Sequence, residues 1–121
     1  AMRATLEHVM TPEAYRHMER LAGLLAAGLQ ETITARKLPW HVVRVGARVE
    51  FVCAPGPLRN GTQAEAAHAP ALEQAIHLAL LNRGCLIAPF HNMMLACPAT
   101  TETQVARLQD AFAAVTDALV S

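Results

Sequence analysis

The chain reads as an α+β two-layer sandwich, a small and mainly antiparallel sheet with helices packed on one face. Two observations predict this. The spacing of apolar residues changes along the chain, from helical three- and four-residue steps to strict alternation and back again. The segments with strand character are short and clustered, with longer helical stretches between the clusters, rather than one strand regularly following one helix. No internal repeat or low-complexity tract interrupts the pattern.

The elements follow in order. Residues 2–10 suggest a short helix with Met2, Leu6 and Val9 on one stripe. Thr11-Pro12-Glu13 then restarts the chain, with threonine suited to an N-cap and proline to the first helical position, where its missing N–H costs nothing. Tyr15, Met18, Leu21, Leu25, Leu29 and Ile33 mark one face of a helix over 12–36, closed by Arg36 and Lys37 against the helix dipole. Residues 41–53 alternate: Val43 and Val45, then Val49, Phe51 and Cys53, with Gly46-Ala47 between them. Two short strands or one bent strand fit. Residues 54–64, with Pro55, Gly56, Pro57, Asn60 and Gly61, read as a loop. Leu72, Ile76, Ala79 and Leu80 define a helix over 70–83, stopped by Gly84. Residues 85–88 and 93–96 read as short buried strands joined by a turn at Pro89-Phe90-His91-Asn92. Thr101 and Gln104 make a capping-box pair, and Val105, Leu108, Phe112, Val115 and Leu119 define a last helix over 102–119.

Composition narrows the function. At 53% hydrophobic and 17% charged, the 121 residues are too apolar for a disordered segment, and one domain covering 1–121 is expected. Part of that apolar surface is expected to meet another domain or subunit. Ten basic residues balance ten acidic ones, so no net field draws nucleic acid or an anionic membrane. The longest apolar run, 21–29, is nine residues, against the ~20 that a membrane span needs. Cys53, Cys85 and Cys97 form no C-x-x-C and read as reduced core thiols, which points to the cytoplasm. The six histidines show no zinc-ligand spacing, so no metal is expected.

Lysine is the informative residue type. Lys37 is the only one, at the charged end of a helix, where solvation is its ordinary role. A Schiff-base lysine requires a desolvated or otherwise tuned site, and nothing around Lys37 supplies one. Taken alone, His91 and Asn92 read as turn residues, Met93-Met94 as core filling and Arg48 as a solvated strand residue.

Three segments together carry a family resemblance. Leu81-Asn82-Arg83-Gly84-Cys85-Leu86-Ile87-Ala88-Pro89 resembles the L-x-R-G-[VI]-x-[LM]-x-P signature near the end of class III (fold type I) pyridoxal-phosphate-dependent aminotransferases, with cysteine where valine or isoleucine is common. Thr101-Glu102-Thr103-Gln104-Val105 is similar to that family's T-x-x-D-[IV] step into its last helix, with Gln104 for the aspartate. Ala4-Thr5-Leu6-Glu7 resembles the A-L-A-T-L-E helix that follows the family's G-N-P motif. The order and spacing fit the glutamate-1-semialdehyde aminomutase-like branch over nearly the whole chain.

The resemblance implies a C-terminal small domain that begins just after G-N-P. It implies transfer of an amino group between an amino acid or amine and a keto acid or aldehyde. Pyridoxal phosphate, its Schiff-base lysine and most of its phosphate cradle would belong to a large domain of the same protein, in a homodimer. No catalytic or cofactor-binding residue is then expected in this chain, which would be inactive alone. The family's turn after the proline reaches towards substrate, which makes Phe90, His91 and Asn92 pocket candidates, with Arg48 a further one. Relatives that act on β-amino acids carry an arginine directly after that proline, where it binds the substrate carboxylate; here Phe90 stands there. So His91 takes part, or an arginine elsewhere does, or the substrate differs. The competing reading is a non-catalytic α+β module that associates as a homodimer.

One outcome is testable from sequence alone. In the intact enzyme, Phe90→Arg is expected to raise kcat/KM for carboxylate-bearing amines relative to matched amines without the carboxylate. The gain is roughly tenfold to a hundredfold, as a well-placed charged contact allows. An unchanged ratio with cofactor content intact would remove Phe90 from the pocket.

Overall fold

The computed structural model describes residues 1–89 and 91–121. The order is α1 (Met2–His8), α2 (Pro12–Ala35), β1 (His41–Val45), β2 (Arg48–Val52), α3 (Gly61–Ala66), α4 (Pro70–Leu81), β3 (Met93–Leu95) and α5 (Glu102–Val120). The strands form an antiparallel sheet in the order β1-β2-β3, so the expected α+β architecture stands. Val45 lies opposite Arg48, which leaves Gly46-Ala47 as a two-residue hairpin turn, and Gly46 takes the left-handed backbone, φ +56°, that this turn requires.

Alternation decides which face of the sheet is covered. Val49 and Phe51 of β2 and Met94 of β3 point inward and are buried. On them lie α2, through Leu21, Leu25, Leu29 and Ile33, and α5, through Val105, Phe112 and Val115. The buried stripe of α2 starts at Met18; Tyr15, placed on it by spacing, is exposed. α4 packs on α5 through Ile76 and Leu80, outside the sheet. None of the α1 side chains is buried.

The two central helices run parallel. Arg20, two turns into α2, pairs with Glu102 at the start of α5, at 2.5 Å, and Arg36 pairs with Asp117 near both C-termini, at 2.6 Å. Between them Gln109 Nε2 donates to the Leu24 carbonyl at 2.9 Å. Gly28 allows that approach, because a Cβ there would overlap the Gln109 side chain. The Arg36 hydrogen bond holds the Asp117 carboxyl below its ordinary range.

The helix ends follow the sequence signals closely. Thr11 caps α2 with Pro12 at N1, and Thr101 and Gln104 form both bonds of a capping box. Gly84, at φ +76°, closes α4: its N–H bonds to Leu81 O, and the Cys85 N–H to Leu80 O. The same pattern ends α2 one turn past Ile33, with Lys37 in the glycine role. The Lys37 N–H bonds to Thr34 O, the Leu38 N–H to Ile33 O, and Lys37 sits at φ +54°.

Three expectations are corrected. Residues 85–88 are not a strand. The Cys85 amide is consumed by the helix stop, Leu86 is 76% exposed, and a single bond from the Ala88 N–H to Met93 O ties the segment to β3. The stretch 54–64 is not all loop. Asn60 Oδ1 accepts from Gln63 N and Gln63 Oε1 accepts from Arg59 N, a reciprocal cap that starts α3 in spite of Gly61. Nor are all three cysteines core residues: Cys53 and Cys85 are half-buried, and Cys97 is exposed.

Two outcomes follow. Lys37→Gly is expected to stabilise the fold by about 0.5–1 kcal/mol, because glycine adopts the left-handed backbone without the Cβ penalty. Gly84→Ala is expected to destabilise it by at least about 1 kcal/mol, for the mirror reason. Urea unfolding of both variants checks the pair, and equal signs would contradict it.

The cysteines should also separate chemically. Burial, reinforced by the Glu73 charge, pushes the Cys53 thiol from 9.0 up to about 12, whereas the Thr100 hydroxyl and backbone N–H groups lower that of Cys97. Iodoacetamide at mildly alkaline pH should label Cys97 well before Cys53. The folded state holds the Cys53 proton more tightly than the unfolded chain does. Its contribution to stability is therefore complete below pH 9.0 and lost as pH rises towards about 12. The stability difference between the natural chain and Cys53→Ala should fall across that window; a flat difference would contradict the burial.

Candidate functional site

Helices cover one face of the sheet, and the side chains that point the other way form the candidate site. Register places Val43 opposite Glu50, Val45 opposite Arg48, and Arg48 opposite Leu95, all on this outer face. Val45 is 71% and Leu95 64% exposed. Amid this apolar surface Arg48 and Glu50, two residues apart on β2, form an ion pair, Nη2 to Oε2 2.6 Å. Glu50 is the better buried partner, at 21% side-chain exposure against 44%.

The face continues into a cleft of about 190 Å³ between β2, α3, the start of α4 and the turn before β3. Glu50, Glu65, His68, Glu73, His91 and Asn92 line it with their polar groups, and Val52, Leu58 and Ala64 supply apolar walls. The α3 cap and the Pro70 start of α4 bring His68 and Glu73 to one side. Glu73 Oε1 accepts from the Ala69 N–H at 3.3 Å, and its Oε2 lies 3.6 Å from His68 Nδ1. The turn supplies the other side. His91 and Asn92 both have left-handed backbones, φ 61° and 47°, a rare pairing for two residues with side chains. Asn92 is 5% exposed, and its Nδ2 donates to the Phe51 carbonyl at 3.1 Å, which fastens the turn to β2. The His68 and His91 rings meet at 5.7 Å with their planes tilted by 52°.

Three of the four residues singled out from sequence therefore converge. His91 and Asn92 line the cleft, and Arg48 reaches its rim through Glu50. Phe90 lies outside the described residues. Glu50, His68 and Glu73 were not found by sequence reasoning. The i, i+2 spacing of Arg48 and Glu50 on a strand was a usable signal for the first; the other two arrive through the packing of α3 and α4.

Electrostatically the cleft is acidic: three carboxylates line it, and the nearby guanidinium is already paired with one of them. It is ill-suited to a phosphate ester. Lys37 is absent from it; that residue is exposed in the helix stop of α2. No group of three or more metal-ligating side chains lies among the described residues. No described helix is long and apolar enough to cross a membrane.

Comparison with known proteins places this architecture. No family model matches the chain. A glutamate-1-semialdehyde 2,1-aminomutase from Thermomicrobium roseum is 37% identical over 86 residues, 71% of this chain and 20% of that protein. The crystal structure of a glutamate-1-semialdehyde aminomutase from Pseudomonas aeruginosa PAO1 is 47% identical and superposes with a TM-score of 0.96, covering 98% of this chain and 26% of that one. A variant of a Pseudomonas aeruginosa PAO1 aminomutase in complex with PMP is 46% identical, with a TM-score of 0.94 over 96% of this chain and 26% of that one. The chain thus spans a fifth to a quarter of the length of these relatives. Its sequence, its one-sided sheet and its helix order make it a member of the class III, fold-type-I aminotransferase family, on the glutamate-1-semialdehyde aminomutase-like branch, corresponding to that family's C-terminal small domain.

Proposed function

We propose that this chain is the small domain of a pyridoxal-phosphate-dependent aminotransferase. In this reading the intact enzyme moves an amino group between an amino acid or amine and a keto acid or aldehyde. The observation that carries it is the 47% identity to the Pseudomonas aeruginosa aminomutase across 98% of the chain. A large domain of the same protein holds the cofactor and its lysine, two copies associate as a homodimer, and residues 1–121 form one domain. Free thiols support a reducing, cytoplasmic setting.

The bare sheet face is where the large domain docks. Val43, Val45 and Leu95 are apolar and uncovered, which suits burial against another surface. The cofactor, held by the large domain, would supply the electron sink, and this chain would contribute walls and charges. Arg48 is the candidate receptor for a substrate carboxylate, if a substrate draws it away from Glu50. His91 and Asn92 form a fixed wall at the substrate entrance. The Glu50, Glu65 and Glu73 carboxylates disfavour a second substrate carboxylate near that wall and favour an amine-bearing or uncharged group. This agrees with phenylalanine, not arginine, at position 90.

The chain alone should neither transaminate nor hold pyridoxal phosphate as a Schiff base. Incubation with pyridoxal phosphate, borohydride reduction and peptide mapping provide the check. The expected result is at most sparse, non-saturating label. Stoichiometric label at Lys37 with measurable turnover would overturn the reading.

A further inference from the structure

We propose that His68 is a positioning residue for the 91–92 turn, and so for substrate choice; the second half rests on the reading that this turn faces substrate. The turn needs support. His91 and Asn92 both occupy a backbone region that residues with a Cβ populate sparsely, and such pairs persist only where surrounding contacts over-determine them. One contact is to the sheet, from Asn92 Nδ2 to Phe51 O at 3.1 Å. Another crosses the cleft, where the His68 ring meets the His91 ring at 5.7 Å.

His68 is itself held. It lies between α3 and α4, with Nδ1 3.6 Å from Glu73 Oε2. Glu73 is a firm anchor because its side chain is 17% exposed and its other oxygen accepts from the Ala69 N–H at the start of α4. The order of support runs from α4 through Glu73 to His68, and from His68 to His91. The remaining charged groups around the cleft, Glu65 of α3 and Glu50 of β2, face it from other sides, and Glu50 is engaged by Arg48. The turn is thus clamped between the sheet on one side and the α3–α4 junction on the other. A residue far from the reacting atoms in sequence sets the shape of the substrate wall.

The test uses two substitutions and two readouts. His68→Ala removes the brace, whereas His68→Phe keeps a ring against His91 and gives up the pairing with Glu73. Hydrogen exchange of the full chain should quicken at the amides of residues 91 and 92 by about tenfold or more in His68→Ala, with the α5 core amides unchanged. In the intact enzyme, His68→Ala should raise KM for the amino donor by about fivefold or more while kcat changes by less than about twofold, because a misplaced wall weakens binding and leaves the chemical groups in place. His68→Phe, which keeps the ring contact and loses the Glu73 anchor, should recover both readouts in part, to values between those of His68→Ala and of the natural protein. Unchanged exchange at 91 and 92 in His68→Ala, or failure of the ring to recover it in part, would overturn the brace. Faster exchange with an unchanged KM would leave the brace standing and overturn the placement of the turn at the substrate.

Discussion

Phe51 is the residue on which the rest of this molecule depends. Its side chain is fully buried, stacks on Trp40 at 6.3 Å and meets Phe112 of α5 at 5.0 Å, so it joins the sheet to the helical layer. Its carbonyl oxygen receives Asn92 Nδ2, so the same residue also sets the turn that walls the cleft. Core packing and site geometry are consequently coupled through one strand position. Truncation to alanine at such a position costs about 3–5 kcal/mol in general. Here it would also shift the carbonyl that holds the turn. Strand alternation does the rest. With Val49 and Phe51 committed inward, Arg48, Glu50 and Val52 are committed outward.

Much of this was legible in the residues because the signals were local. Thr11-Pro12, Thr101 with Gln104, and Gly84 each satisfy a helix terminus with atoms a few residues away, and each lies where the pattern placed it. The helical stripes were equally clear, because α2 and α5 bury one face and expose the other. What failed was the apolar run 85–88. Its composition fits a buried strand, but a strand needs a continuous row of backbone bonds to a neighbour, and here the first amide belongs to the helix stop. Gly61 and the neighbouring prolines hid α3, although Asn60 and Gln63 already had capping spacing. Lys37 in a left-handed helix stop was hidden for the converse reason, since the residue type gives no hint of it.

The site was legible in part, and the division has a physical basis. Arg48, His91 and Asn92 stood out through their motif context, and they do gather at one end of the bare face. Glu73 and His68 belong to other elements and reach the cleft only when α4 docks on α5, a long-range event that local spacing cannot encode. The 91–92 turn thus acquires an acidic setting that its own residues do not announce. In the proposed reading, that setting bears on specificity more than on cofactor attachment, which is assigned to the large domain.

The central claim is that the two faces of the sheet have separate duties, one to the core and one to a partner domain. Hydroxyl-radical footprinting of the isolated chain and of the intact enzyme tests this directly. Val43, Val45 and Leu95 on the bare face should lose most of their reactivity in the intact enzyme, while Leu24, Leu78 and Leu81 on the helical layer should keep theirs. Protection of the helical leucines with Val43, Val45 and Leu95 still reactive would contradict the account, because the large domain would then sit on the wrong side of the sheet for Arg48 and the 91–92 turn to meet substrate.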